Sequence, residues 1–347
     1  MVNVGAMSSS SIEQWSRTLH PFQNSICNTL RRFLLVLVAA AVAPDVATAQ
    51  VDINEAHIFP HADAAATLAA GQPIRADVDL VMVNVTVLDH ADRAVTGLGA
   101  SNFALVDGKH SQVIRYVSSV DEPISWVVVL DASASMAEKI PEARSALAKL
   151  VNTSNPQDDF GMIVVGDQPK IVFHTDSARE IPSTIGSIQP NGATALWDGM
   201  VLGIEELKRS HHQRKAMVVI SDGGDNHSRY SESELKAILK EADVQVYAIG
   251  IFNRYATRRE EKIGPLQLDE VTSITGGRVF SVSDSKDLAR AVNQISLELR
   301  NQYVLGFYPS NRSRDGKWRK LKIHLTAPSS QGRVRLYARK GYYGPAE

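Results

Sequence analysis

The run Trp126-Val127-Val128-Val129-Leu130 carries no charged residue and breaks abruptly into Asp131-Ala132-Ser133-Ala134-Ser135. An apolar run of this length reads as a strand buried on both faces, the kind found in parallel sheets covered by helices. In such open α/β sheets, ligands sit just beyond the carboxyl ends of the strands. The oxygen side chains of Asp131, Ser133 and Ser135 fall at that point in the chain. They are hard, neutral-to-anionic donors, which suit Mg²⁺ rather than Zn²⁺.

From Ile124 onward, strand and helix patterns alternate. Strands are predicted over 125–130, 160–165, 170–174, 216–221, 244–251 and 277–281. Helices are predicted over 137–151, 178–185, 195–210, 231–242, 267–275 and 285–300. This alternation predicts a doubly wound, mostly parallel sheet. The turn at 166–169 is too short for a crossover, so 170–174 is predicted as an antiparallel edge strand.

The flanking segments read differently. Short strand patterns occupy 78–89, 103–109 and 113–117 on one side, and 302–308, 319–325 and 333–338 on the other. The C-terminal set is too small for a stable sheet of its own. The two sets are therefore expected to pair as a sandwich-like β-module, built from 76–120 and 301–345, with the α/β domain of 124–300 inserted between them. Charge points the same way: Asp77, Asp79, Asp89, Asp92 and Asp107 stand in the first piece, whereas 312–340 is strongly basic.

The first residues follow another pattern. Arg31-Arg32 precede an apolar run from Phe33 to Ala43, and Ala47-Thr48-Ala49 follows. A basic stretch, an apolar stretch and an A-x-A site read as a signal peptide over 1–49, with 50–75 as a linker or flexible arm. The apolar run is too short to span a bilayer. Sec and twin-arginine export both remain open, and the mature chain is expected to be periplasmic or secreted with no membrane anchor. The one cysteine, Cys27, lies inside this leader, so the mature chain is expected to lack disulfides, a thiol nucleophile and cysteine-based zinc sites. A formal net charge of −1 argues against nucleic acid as the main partner.

Two further segments join the Asp131–Ser135 pattern. Asn191-Gly192-Ala193-Thr194-Ala195-Leu196-Trp197-Asp198 precedes a predicted helix, and Val218-Val219-Ile220-Ser221-Asp222-Gly223-Gly224-Asp225 ends a predicted strand. With these three pieces in order, the chain from about 124 to 300 resembles a von Willebrand factor type A (VWA) domain with a D-x-S-x-S metal-ion-dependent adhesion site. The resemblance implies that Ser133, Ser135 and Thr194 bind Mg²⁺ directly, with Mn²⁺ or Ca²⁺ as alternatives. It also implies that Asp131 and Asp222 act mainly through bound waters or by orienting the hydroxyls. Asp225 is expected either to join the outer shell of the ion or to cap the helix near Ser231. With few direct carboxylate ligands, the ion would stay electrophilic and accept an Asp or Glu carboxylate from a protein partner. Segments 102–108, 302–308 and 339–343 extend the resemblance to a bacterial VWA-related family abundant in Acidobacteria.

The reading that follows is an exported, metal-dependent binding module and not an enzyme. No nucleophile–base pair is visible, nor any G-x-S-x-G, H-E-x-x-H or P-loop pattern. Two alternatives stay open: an envelope assembly protein whose metal only stabilises loops, and a metal-assisted hydrolase subunit.

Overall fold

The computed structural model describes residues 80–119, 121–175, 188–252, 259–282, 285–326 and 333–346. The expected signal peptide, the linker arm and the helix at 178–185 lie outside these residues.

Four strands come first: β1 (Val81–Leu88), β2 (Phe103–Asp107), β3 (His110–Gln112) and β4 (Ile114–Ser118). The α/β part follows with β5 (Ile124–Asp131), α1 (Ile140–Thr153), β6 (Asp159–Val165), β7 (Lys170–Thr175), α2 (Leu196–Arg209) and β8 (Arg214–Ser221). It continues with α3 (Glu232–Glu241), β9 (Gln245–Gly250), α4 (Arg259–Thr275), β10 (Val279–Ser281) and α5 (Ser285–Arg300). Four strands close the chain: β11 (Tyr303–Phe307), β12 (Trp318–Leu325), β13 (Arg335–Ala338) and β14 (Gly341–Tyr343).

The central sheet has the order β10-β9-β8-β5-β6-β7. Its neighbours run parallel except β7, which returns antiparallel to β6 at the edge as its short turn requires. All eight residues of β5 are buried. Their alternation divides the core into two layers. Ile124, Trp126, Val128 and Leu130 pack with the apolar faces of α1 and α5. Val127 and Val129 pack on the opposite side with α2, α3 and α4.

The terminal strands interleave. One sheet has the order β13-β1-β11-β4 and the other β14-β12-β2-β3, so each contains strands from both ends of the chain. Val83, Val85, Phe103, Leu105, Leu305 and Phe307 fill the space they enclose. Charge contributes less to this pairing than composition suggests. Asp92 does pair with Arg335 (2.7 Å), but Asp89 binds its own neighbour Arg93 and Asp107 accepts the Tyr342 hydroxyl. The ladders and the apolar core carry the union.

The chain enters and leaves the α/β part at one end. There the buried Asp158 carboxylate accepts the Ile124 amide (2.9 Å) and the Trp126 indole NH (3.1 Å), and it pairs with Arg300 (2.7 Å). Two helices differ from expectation at their starts. The chain after β5 first makes a 3₁₀ turn over Ala134–Met136, and α1 begins only at Ile140, beside Pro141 in its first turn. α4 begins at Arg259, eight residues before the predicted start at 267, and runs through Pro265. Pro265 is the seventh residue of α4, beyond the unpaired amides of its first turn, so the helix forgoes one intrahelical hydrogen bond there.

Candidate metal centre

The site is built where the sheet reverses direction. From β5 the chain moves to β6 on one side, and β8 later fills the other side. Loops leaving neighbouring strands diverge at such a point and leave a crevice.

The first loop supplies Asp131, Ser133 and Ser135. Asp131 has no exposed surface. One carboxylate oxygen accepts the Ser133 amide (2.9 Å) and the other accepts the Ser221 hydroxyl (2.7 Å). These bonds fix the carboxylate at the floor of the crevice. The hydroxyls of Ser133 and Ser135 lie 3.1 Å apart.

The second loop is sewn to the first by backbone. The Asn191 amide donates to the Ala132 carbonyl (2.9 Å), and the Ala134 amide donates to the Gly192 carbonyl (3.3 Å). Thr194 is buried, and its own backbone is held by the third loop. Its amide donates to Asn226 Oδ1 (2.9 Å), and its carbonyl accepts the Asn226 and His227 amides (3.1 Å each).

The third loop follows β8 and carries Asp222, buried, with one carboxylate oxygen 3.1 Å from Lys139 Nζ. The next residue, Gly223, has φ +87°, a left-handed value that favours glycine. Its carbonyl faces Gly264 of α4 so closely that a Cβ there would stand 2.3 Å from the oxygen. Two glycines thus let the helix and the loop meet backbone to backbone.

Burial pushes the Asp131 carboxyl up to about 6 from its ordinary 3.8; the bond from Ser221 opposes this and the Asp222 charge adds to it. A cation at this point would favour the ionised form. The donor chemistry fits one. Adjacent ligands of an octahedral Mg²⁺ at 2.0–2.1 Å stand about 3 Å apart, close to the separation of the two serine hydroxyls. Among the described residues, no three carboxylate, imidazole or thiol groups gather around one point. The set here is hydroxyls with two carboxylates, so any ion it held would retain water and an open position. When bound, such an ion would act as a Lewis acid toward an incoming oxygen ligand.

The structure thus brings Asp131, Ser133 and Ser135 together, sets Asp222 near Asp131, and ties Thr194 to the third loop while Asn191 and Gly192 of its own loop are bonded to the first. Asp225 caps a different helix from the one expected. Its Oδ1 accepts the Leu196 (2.8 Å) and Trp197 (3.3 Å) amides, so it caps α2 from the third loop. The α3 helix near Ser231 is capped by Ser231 itself, in a reciprocal box with Glu234. Burial raises the Asp225 carboxyl, against the Ser228 hydroxyl and the two helix amides.

Sequence reasoning passed over four residues. Ser221 orients Asp131, and Asn226 holds Thr194. Asp198 accepts the Arg229 and Tyr230 amides and so fixes the third loop. Lys139 meets Asp222. Only Lys139 left a local signal: a lysine at a helix start, where positive charge is disfavoured. Beside the site, a groove of about 500 Å³ runs between Asp167, Asp198, His227, Arg229 and Tyr230. A second of about 490 Å³ lies between Ala132, Gly166, Asp167 and Asn191.

Comparison with known proteins agrees with this architecture. The family model for the von Willebrand factor type A domain matches residues 127–294. Inter-alpha-trypsin inhibitor heavy chain H4 of Homo sapiens is 21% identical over 245 residues, which cover 66% of this chain and 26% of that protein. The chain spans between 26% and 57% of the first curated relatives it matches. A von Willebrand factor type A structure from Catenulispora acidiphila is 12% identical, covers 77% of this chain and 74% of its own, and has a TM-score of 0.45. Proximal thread matrix protein 1 from the mussel byssus, described with a zinc-occupied MIDAS motif, is 18% identical and covers 55% of this chain and 48% of its own, with a TM-score of 0.42. Strand order, the position of the crevice and the matched residues together identify 127–294 of this chain as a von Willebrand factor type A domain.

Proposed function

We propose that this domain is a binding module that holds a divalent cation, Mg²⁺ first among them, and presents it to a carboxylate on a protein partner. The observation that carries the reading is the pair of serine hydroxyls 3.1 Å apart, beside a buried carboxylate at the mouth of the sheet. Ser133, Ser135 and Thr194 would be the direct ligands, with Asp131 and Asp222 acting through water or through the hydroxyls. An ion so held keeps most of its charge, because the buried carboxylates do not bind it directly. The two grooves give a partner's flanking residues somewhere to lie. Binding accounts for this arrangement better than catalysis does, since the hydroxyl bonded to the Asp131 carboxylate, that of Ser221, is fully buried at the floor of the crevice. The leader-like pattern of 31–49 supports an exported setting, periplasmic or secreted.

Calorimetric titration with Mg²⁺ and Mn²⁺, alongside the Asp131→Ala variant, tests the site. Saturable binding in the parent, abolished in the variant, is the expected outcome. Equal heats in both proteins would end the proposal.

A further inference from the structure

We propose that Lys139 is an internal counter-ion of this site, which a divalent cation must displace, and that it thereby sets how tightly the metal is held. The inference rests on the metal-binding reading above. Its first support is geometric: Lys139 Nζ lies 3.1 Å from Asp222 Oδ2, and the two side chains are 23% and 5% exposed. The ammonium is therefore folded into the crevice and not left in solvent.

The second support is the cost of that position. Lys139 is the residue immediately before α1, and its side chain caps no helix amide. A helix N-terminus already carries partial positive charge and disfavours a cation. Nothing in the helix explains a lysine there, whereas the contact with Asp222 does.

The third support is the charge of the crevice. Asp131 and Asp222 are both buried, and a buried carboxylate without a compensating cation is strongly unfavourable. The lysine supplies that charge to Asp222. A divalent ion close enough to share Asp222, directly or through one water, would face an ammonium on the same carboxylate. Two cations at that separation repel. The lysine stem is long and flexible, so its head group can swing out to solvent. Metal binding then breaks an ion pair, and the affinity is lower by that amount.

The test uses the full chain stripped with chelator, at one fixed pH. Mn²⁺ binding is followed by calorimetry and by the loss of the free-ion electron spin resonance signal. The proteins are the parent, Lys139→Met, Lys139→Gln and Lys139→Arg, with thermal melts in chelator. Removing an ion pair of this kind is expected to tighten Mn²⁺ binding by about fivefold in Lys139→Met and Lys139→Gln. Both variants should melt earlier than the parent in chelator, and Lys139→Arg should stay close to the parent. Unchanged or weaker binding in the folded neutral variants, with the parent still binding, would overturn the role of Lys139 and leave the metal site standing. No saturable binding in any of the proteins would overturn both.

Discussion

At the residue scale, Asp131 concentrates the chemistry of the crevice. Its carboxyl is raised to about 6 by burial, against an ordinary 3.8. Between those pH values the folded chain holds a proton that the unfolded chain has released. Stability of the metal-free protein must therefore fall as pH rises from about 4 to about 6, by up to about 3 kcal/mol from this group. Urea midpoints in chelator across that range should show the slope, and Asp131→Asn should remove most of it. A slope that persists unchanged in the variant would assign it to another group. The D-x-S-x-S spacing made Asp131, Ser133 and Ser135 legible in the sequence, since all three lie within one turn of chain. Ser221 and Asn226 were not legible. Each acts on a residue far away in the chain, and only the pairing of β5 with β8 and the folding back of the third loop create the contact.

At the element scale, α4 braces the third loop. The approach of Gly264 to Gly223 leaves no room for a methyl group, and the atom it would meet is backbone that cannot rotate away. Gly264→Ala gains helix propensity but should still lose about 1–3 kcal/mol through overpacking. The displaced loop carries Asp222, so divalent affinity should fall as well. Denaturant melts with and without Mn²⁺ separate the two effects. A variant as stable as the parent would mean that the helix slides without cost. The positions of the α/β strands and most helices could be read from the sequence, because period and turn chemistry are local. The start of α4 could not, because Pro265 breaks the local helical signal of the sequence yet lies inside the helix. The capping of α2 by Asp225 was also hidden, since the residue before the helix, Ala195, has no capping group and the acceptor comes from another loop.

At the scale of the whole molecule, the described residues from 80 onward form a β-sandwich with an α/β domain set into it. β11 lies between β1 and β4, and Leu305 within it is completely buried. Leu305→Ala should cost about 2–5 kcal/mol, yet leave metal affinity unchanged, because the candidate site lies at the far ends of the central strands. Midpoint shifts alongside calorimetry check both halves of this statement. A parallel loss of affinity would show that the sandwich shapes the crevice. The union of the terminal strands was legible from their small number and their alternation. The partner of each strand was not: β1 takes both β11 and β13, while β2 takes β12. Those choices are made by long-range packing in a shared core.

The course of β5 has a mechanical consequence. The strand starts where Asp158 pins the entry and exit of the domain, and it ends at Asp131, about 23 Å away at the rise of an extended chain. A pull applied at the rim would run down this single strand into the sandwich. Parallel ladders to β6 and β8 flank it on both sides along nearly its full length, so the load would fall on their hydrogen bonds together, in shear, instead of opening them one after another.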